Sequence, residues 1–495
     1  MKTGYSSLNK GNGVLIIYTG GTIGSMPKDR NDPDSPQVVV SWEEFLSNSL
    51  LLKPETLGFN VDAYSTEPLD SCNLGPAEWK EMASVIREKY DDYEGFVILH
   101  GTDTMVYSAS ILSMMLQNLT KPVIITGAQM TYLFNVRNDG WQNLITALMV
   151  ANPKFSKIPI VPEVCIYFGN KLMRGNRTRK INATGFDAYT STNYKPLALI
   201  GDYIEIDADL LLSPSTQAFR VSDKLCTDVV AINFFPGLQN SQMLPNILKD
   251  KSLKGVVLLS YGAGNIPTDK PVLDMIREAH DRGVVFLNVT QTGGGRVELG
   301  MYETSAILLD VGVVSGVDMS PEAALVKMML LLGDEDLTPH EVELQVQKSL
   351  AGEQSSSIYT TEFKKTNSSI INKENPRIRI PAEAIDGYDQ IGKGTVEKIM
   401  LRFRDGKFTD PNEEGYIKIK LFADLSSGDN LETDSVQYLG SFNKLPNEDP
   451  TIAIFDITKN ATKVIQDRSS FTIYLDGING QFEWSSVELT IFAQA

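Results

Sequence analysis

The feature that most limits how this chain can fold is a change of rhythm along it. From residue 1 to about 205, short apolar runs alternate with helical patterns. Val14–Tyr18 (VLIIY), Phe96–His100 (FVILH) and Val123–Thr126 (VIIT) have strand length, and each stops at a glycine-containing turn. A strand that is apolar at every position must be covered on both faces, as in a parallel sheet with helices above and below it. Between the second and third runs the spacing predicts a helix over Ser108–Leu119. Residues 202–227 lose the alternation. From Asp228 it resumes as VVAINFF, GVVLLSYG and GVVFLNVT, and this second, smaller α/β unit ends near Gly352. Residues 353–380 are rich in Ser, Thr, Asn and Lys and read as a linker.

Beyond that linker the period becomes two. Ile399, Leu401 and Phe403 alternate with polar residues, as do Ile417, Ile419 and Leu421; Phe471, Ile473 and Leu475; and Val487, Leu489 and Ile491. Turn-rich segments separate these runs, the pattern of an antiparallel sandwich. The expected organisation is an α/β domain at 1–205, a connection at 206–227, an α/β domain at 228–352, a linker at 353–380 and a β-sandwich accessory domain at 381–495. Trp484 and Tyr474 read as core or rim residues of that sandwich rather than as a stacking face.

Charge and rare residues narrow the function. The formal net charge of −17 argues against nucleic acid or an anionic membrane as partner, since both call for a basic face. Three cysteines and three histidines stand far apart, without a disulfide framework or metal-ligand spacing. No metal or cofactor is called for, and histidine-based catalysis is disfavoured. The start of the chain lacks a signal peptide's apolar core, and no run approaches the ~18 apolar residues of a membrane span. A cytoplasmic protein is expected.

The chemistry gathers where the apolar runs end. After Tyr18 come Thr19, Gly20, Gly21, Thr22, Ile23 and Gly24; after Leu99 come His100, Gly101, Thr102, Asp103 and Thr104; after Thr126 come Gly127 and Ala128. The glycines admit a ligand close to the backbone, and in an open α/β sheet ligands bind at the carboxyl ends of the strands. The first glycine run matches neither GxGxxG nor GxxxxGK[ST], so a plain turn remains open for it in isolation. If the strands are neighbours, Thr22 and Thr102 share one cleft. A hydroxyl nucleophile needs a base or a lowered pKa, and a lysine in a partly desolvated site can serve. Lys180, in Arg174–Lys180 (RGNRTRK), is the candidate. Taken singly, Lys180 reads equally as a solvated lysine, Asp103 as a turn former or helix cap, and Ser71 as a loop hydroxyl.

Taken together, TGGTIG at 19–24, HGTDTM at 100–105 and RGNRTRK at 174–180 resemble bacterial type I L-asparaginase, as do SYGAGN and the region of TQTGGGRVELGMY. The likeness covers residues from about 12 to 352. It implies two α/β domains and hydrolysis of L-asparagine to L-aspartate and ammonia through a β-aspartyl ester on a threonine. Thr22 matches the nucleophile, and Thr102, Asp103 and Lys180 match the triad that assists attack and proton movement. Asp103 also matches the partner of the substrate's α-ammonium, and Asp70, Ser71 and Cys72 match the segment that binds its α-carboxylate. Backbone N–H groups at Thr102 and Ala128 are the candidate oxyanion donors. A homodimer or homotetramer is implied, with each site near a subunit interface.

The chain departs from the family at three places. The stretch after Gly24 lacks the tyrosine that relatives usually carry about ten residues past the nucleophile; none occurs between Tyr18 and Tyr64. Asp29, Asp32 and Asp34 in that stretch read as turn formers rather than replacements. Leu259 stands where some regulated relatives have arginine, which speaks against control by asparagine. The sandwich is absent from the usual type I enzyme. Two rivals therefore accompany asparagine hydrolysis: a glutaminase or amidotransferase-type amidohydrolase, and an amino-acid-binding protein read out through the sandwich.

Overall fold

The computed structural model describes residues 13–363 apart from 33, 48–51, 53, 132–136 and 301–302, and thereafter 370–372, 377–381, 396–409, 417–423, 438–444, 453–458, 461–462, 472–477 and 481–494. The first domain is built on a seven-stranded sheet. Across it the strands run Ala198–Leu199, Lys171–Arg174, Val164–Phe168, Val123–Thr126, Gly95–Leu99, Gly13–Gly20 and Asn60–Leu69. The five strands from Val164–Phe168 to Asn60–Leu69 are parallel. Both faces are covered, as the unbroken apolar runs require. Leu15, Ile17, Phe96, Ile98 and Ile125 face one core. Val14, Ile16, Tyr18, Val97, Leu99 and Ile124 face the other.

The connections decide where a ligand can sit. The chain leaves Gly13–Gly20 toward one edge, to Asn60–Leu69, and leaves Gly95–Leu99 toward the other, to Val123–Thr126. The carboxyl ends of these two neighbouring strands therefore flank the topological switch point, where the connections part and open a crevice. Their register is Tyr18 opposite Leu99 and Leu99 opposite Thr126, so the three tips lie level.

The helix expected over 108–119 spans Met105–Met115 instead. It stops there because Leu116 and Gln117 pair antiparallel with Val221 and Arg220. That pairing also brings part of the 206–227 connection into a strand on the first domain. The second domain carries a four-stranded parallel sheet in the order Val229–Asn233, Gly255–Ser260, Val285–Thr290 and Val313–Ser315. A buried ion pair joins the domains. The Arg177 guanidinium donates to both carboxylate oxygens of Asp318, at 3.1 and 2.7 Å, and to the Glu353 carbonyl and the Ser355 hydroxyl. Burial pushes the Asp318 carboxyl up, but the bonds from Arg177 and Ser355 outweigh it and hold it below the ordinary range.

The C-terminal region is made of antiparallel sheets. One has the order Ser356–Phe363, Ser486–Gln494, Val396–Arg404 and Ala453–Asp456; another has the order Arg377–Pro381, Thr472–Gly477, Ile417–Ala423 and Tyr438–Lys444. Ile399, Leu401, Phe403, Val487, Leu489 and Ile491 are buried, as their alternation predicts. Phe403 packs edge-on against Phe482 and Trp484, so Trp484 is a core residue. The side chains of Ile417, Ile419, Ile473, Tyr474 and Leu475, and all of Phe471, lie outside the described residues.

The expected linker is corrected at its start. Residues 356–363 form a strand paired along its whole length with Ser486–Gln494, and Glu353 and Gln354 are buried. Distant partners neutralise this polar stretch. The Lys327 ammonium meets the Glu353 carboxylate at 2.5 Å with neither side chain exposed, and the Ser356 hydroxyl donates to Glu397. The far face of the same sheet packs Ile358, Met400 and Phe492 on Val317 of the second domain. Among the described residues, no helix is long and apolar enough to cross a membrane.

Candidate active site

The crevice is closed by glycines that touch. Gly21 has φ of 77°, and a Cβ there would lie 2.3 Å from the Gly101 Cα. Only glycine lets the two chains past this point, and each is followed by a threonine: Thr22, half-buried at the start of a 3-10 turn, and Thr102, buried. The other threonines at the tips are consumed by the sheet. The Thr19 hydroxyl donates to the Leu99 carbonyl at 2.9 Å, and Thr126 donates to Tyr167 at 2.8 Å.

Lys180 arrives on a two-residue strand, Arg179–Lys180, paired antiparallel with Tyr189–Thr190. Its ammonium donates to the Thr102 hydroxyl at 2.8 Å and to the Asp103 carboxylate at 2.7 Å. The lysine side chain is 16% exposed and that of Asp103 65%. With one partner so open to water, the ion pair contributes little to stability, and its value is positional. Lys180 therefore stands close enough to exchange a proton with a hydroxyl, beside a carboxylate that is open enough to receive a second cationic group.

Ser71 backs this cluster. Its hydroxyl accepts from the Asp103 N–H at 3.3 Å, and its carbonyl accepts from the Thr104 hydroxyl at 2.8 Å. Asp70 caps its own turn by accepting from the Cys72 N–H. The Cys72 thiol is exposed, and desolvation together with the Asp70 and Asp103 charges pushes its pKa up, so it is a poor nucleophile. Ala128 is buried beside Gly127, where a Cβ would meet the His100 carbonyl at 2.3 Å.

His100 is buried, and burial lowers its pKa to about 4 despite an upward pull from the Gly101 carbonyl. Its Nδ1 lies 2.6 Å from that carbonyl and its Nε2 2.8 Å from the Ser108 hydroxyl, which accepts from the Trp79 indole. The neutral ring donates through Nδ1 and accepts through Nε2, a support for the Gly101 turn. Tyr18 lies beneath the Thr22 turn, with its hydroxyl donating to the Val40 carbonyl and its pKa raised by burial. Neither group is a base for Thr22. In the loop that lacks the tyrosine, Asp29 accepts from the Asn31 N–H and Asp32 from the Asp34 N–H, as turn formers do.

The structure thus brings Ser71, Thr102, Asp103 and Lys180 into direct contact and sets Thr22 across the Gly21–Gly101 contact. The side chain of Asp70 is spent within its own turn. Sequence reasoning passed over Tyr189, whose hydroxyl donates to the Thr102 carbonyl at 2.5 Å. Its only signal was its place nine residues after Lys180, and a two-residue strand leaves no period to read.

Known proteins resemble this chain across its first two domains. Residues 13–211 match the family described as "Asparaginase, N-terminal", and residues 228–344 match "Glutaminase/Asparaginase C-terminal domain". The L-asparaginase 1 of Escherichia coli K12 is 38% identical over 354 residues, covering 69% of this chain and 97% of that protein. The crystal structure of L-asparaginase I from Vibrio cholerae is 37% identical with a TM-score of 0.61, covering 69% of this chain and 98% of that one. The thermostable L-asparaginase of Thermococcus kodakarensis is 30% identical with a TM-score of 0.62, covering 69% of this chain and 99% of that one.

Proposed function

The chain belongs to the asparaginase family and hydrolyses L-asparagine to L-aspartate and ammonia, and we propose that Thr22 is its nucleophile, assisted by Thr102, Asp103 and Lys180. The observation that carries this reading is the Lys180 ammonium, held at 2.8 Å from Thr102 and 2.7 Å from Asp103 beside the Thr22 crevice. Asparagine is a zwitterion, so both α-groups must be met before the amide is presented. Asp103 takes the ammonium by a charge-assisted bond, while the hydroxyl of Ser71, in the Asp70–Cys72 turn, takes the carboxylate.

The Thr22 hydroxyl attacks the side-chain amide carbon. The Lys180 ammonium gives a proton through Thr102 to the departing nitrogen, the Thr22 proton replaces it on Lys180, and ammonia leaves a β-aspartyl ester on Thr22. Water then attacks that ester, aspartate leaves, and the Thr22 hydroxyl regains its proton. N–H groups at Thr102 and Ala128 stabilise the negative oxygen formed at each attack, and such a donor is typically worth ~3 kcal/mol of barrier.

Ammonia release from asparagine, for wild type and Thr22→Ala, tests the reading. Turnover in wild type and its loss in the variant are expected; asparagine binding without ammonia in wild type would leave only a binding protein. Within the same reading the protein is cytoplasmic, forms a dimer or tetramer with sites near the subunit contacts, and carries its antiparallel C-terminal sheets as a sandwich-like accessory domain.

A further inference from the structure

The geometry points to Tyr189 as a positioning residue that, with Ser71, clamps the peptide bond between Thr102 and Asp103 and so sets where Lys180 sits. This inference rests on the roles proposed above for Thr102, Asp103 and Lys180. The Thr102 carbonyl and the Asp103 N–H are the two ends of a single peptide unit. The carbonyl accepts from the Tyr189 hydroxyl at 2.5 Å, and the N–H donates to the Ser71 hydroxyl at 3.3 Å. With both ends held, the plane cannot swing. The side chains on either side of it are the two acceptors of Lys180, the Thr102 hydroxyl and the Asp103 carboxylate.

Lys180 and Tyr189 are also direct cross-strand partners in the short antiparallel pair. Side chains directly opposite in such a pair leave the same face. The lysine reaches the Thr102 side chain while the tyrosine reaches the Thr102 backbone, so one hairpin grips one residue at two points. Tyr189 is 1% exposed, and its ring lies 4.8 Å from that of Phe168, which fixes its direction. Burial, with the Asp103 charge adding to it, keeps the phenol protonated far above the ordinary tyrosine range. Its hydroxyl is therefore a permanent donor and takes no part in proton transfer. Ser71 gains a second task, because the hydroxyl that accepts from Asp103 still has its own proton to offer a substrate carboxylate.

The test is Tyr189→Phe, which keeps the ring and removes only the donor. Since small misplacements at a reacting centre can cost up to about 100-fold, kcat on asparagine is expected to fall about ten- to a hundredfold with KM within about twofold. Tyr167→Phe is the control: that buried tyrosine also donates to a backbone carbonyl, of Gly169, at 2.9 Å, so its loss should lower the melting temperature and leave kcat unchanged. In a Lys180→Met background, Tyr189→Phe should change the residual rate less than about twofold, because the group it positions is gone. An unchanged kcat in Tyr189→Phe, or a rise in KM alone, overturns the clamp. Should Tyr189→Phe not fold, Ser71→Ala probes the same peptide from its other end: a fall in kcat beside the rise in KM supports the clamp, and a rise in KM alone overturns it. Wild-type turnover, and its loss in Thr22→Ala, check the underlying reading separately.

Discussion

Among the described residues, two sheets are built on adjacent parallel strands, and the candidate site lies at the first of them. In the second sheet several polar side chains at or near the strand tips are spent on the backbone around them, while the Thr290 hydroxyl pairs with that of Thr292. Ser260 donates to the Val289 carbonyl, Ser315 to the Val297 carbonyl, and Asn288 to the Gly264 carbonyl. In the first sheet Thr19 and Thr126 are spent in the same way, but Thr22 and Thr102 lie past the last ladder bonds, behind two glycines in contact. A hydroxyl becomes available for chemistry one step beyond the strand, where the backbone no longer claims it. The switch point supplies the space, and a short hairpin supplies the amine.

The sharpest way to break this contrast is to remove one hydroxyl from each sheet. Thr22→Ala is expected to lower kcat on asparagine by at least about 10⁴-fold, since loss of a nucleophile removes the covalent route. Ser260→Ala should leave kcat within about twofold and cost only stability; equal losses in the two variants would erase the distinction. Lys180→Met comes next, with a fall of about 10²–10⁴-fold, the usual worth of general acid–base assistance, followed by the same ammonia assay.

A third test asks whether the sheets stand or fall together. Asp318→Asn leaves the Arg177 charge buried without its carboxylate, and a cost of about 3–5 kcal/mol in urea unfolding is expected. Asp274→Asn, at an exposed helical pair with Lys270, should cost under about 0.5 kcal/mol.

The fourth and smallest effect separates the sheets by pH. His100, beside the first sheet, has a folded pKa of about 4 against an unfolded value of about 6.5. The unfolded chain takes the proton first, so this stability is full above pH 6.5 and declines as pH falls, by about 3 kcal/mol at pH 4. His280, beside the second sheet, is raised by its hydrogen bond to Glu343 despite partial burial. Its contribution runs the other way: it is full below pH 6.5 and lost as pH rises through the folded value. Urea midpoints from pH 4 to 8, for His100→Gln and His280→Gln, should move in opposite directions relative to wild type.

Much of this was legible in the residues. Val14–Tyr18, Phe96–His100 and Val123–Thr126 are legible because a strand buried on both faces is almost wholly apolar, although the second strand ends at Leu99. Thr22 and Thr102 followed from the places where those runs stop. Lys180 did not follow from any period, since its contact with Thr102 spans 78 residues and its strand is two residues long. Residues 353–363 were misread for a different reason. Composition reports which groups are polar but not whether a partner waits elsewhere: Lys327 meets Glu353, and Glu397 meets Ser356, far along the chain.

The Lys327–Glu353 pair bears on anyone who shortens this chain to the length of its relatives. A stop codon placed after Gly352 looks natural, yet it would leave a buried ammonium with the Lys348 carbonyl but no counter-charge and take away the main-chain oxygen of residue 353 that Arg177 grips. Terminating a few residues later, beyond Ser355, keeps both knots tied, so the two clones would differ in soluble yield long before either was assayed for turnover.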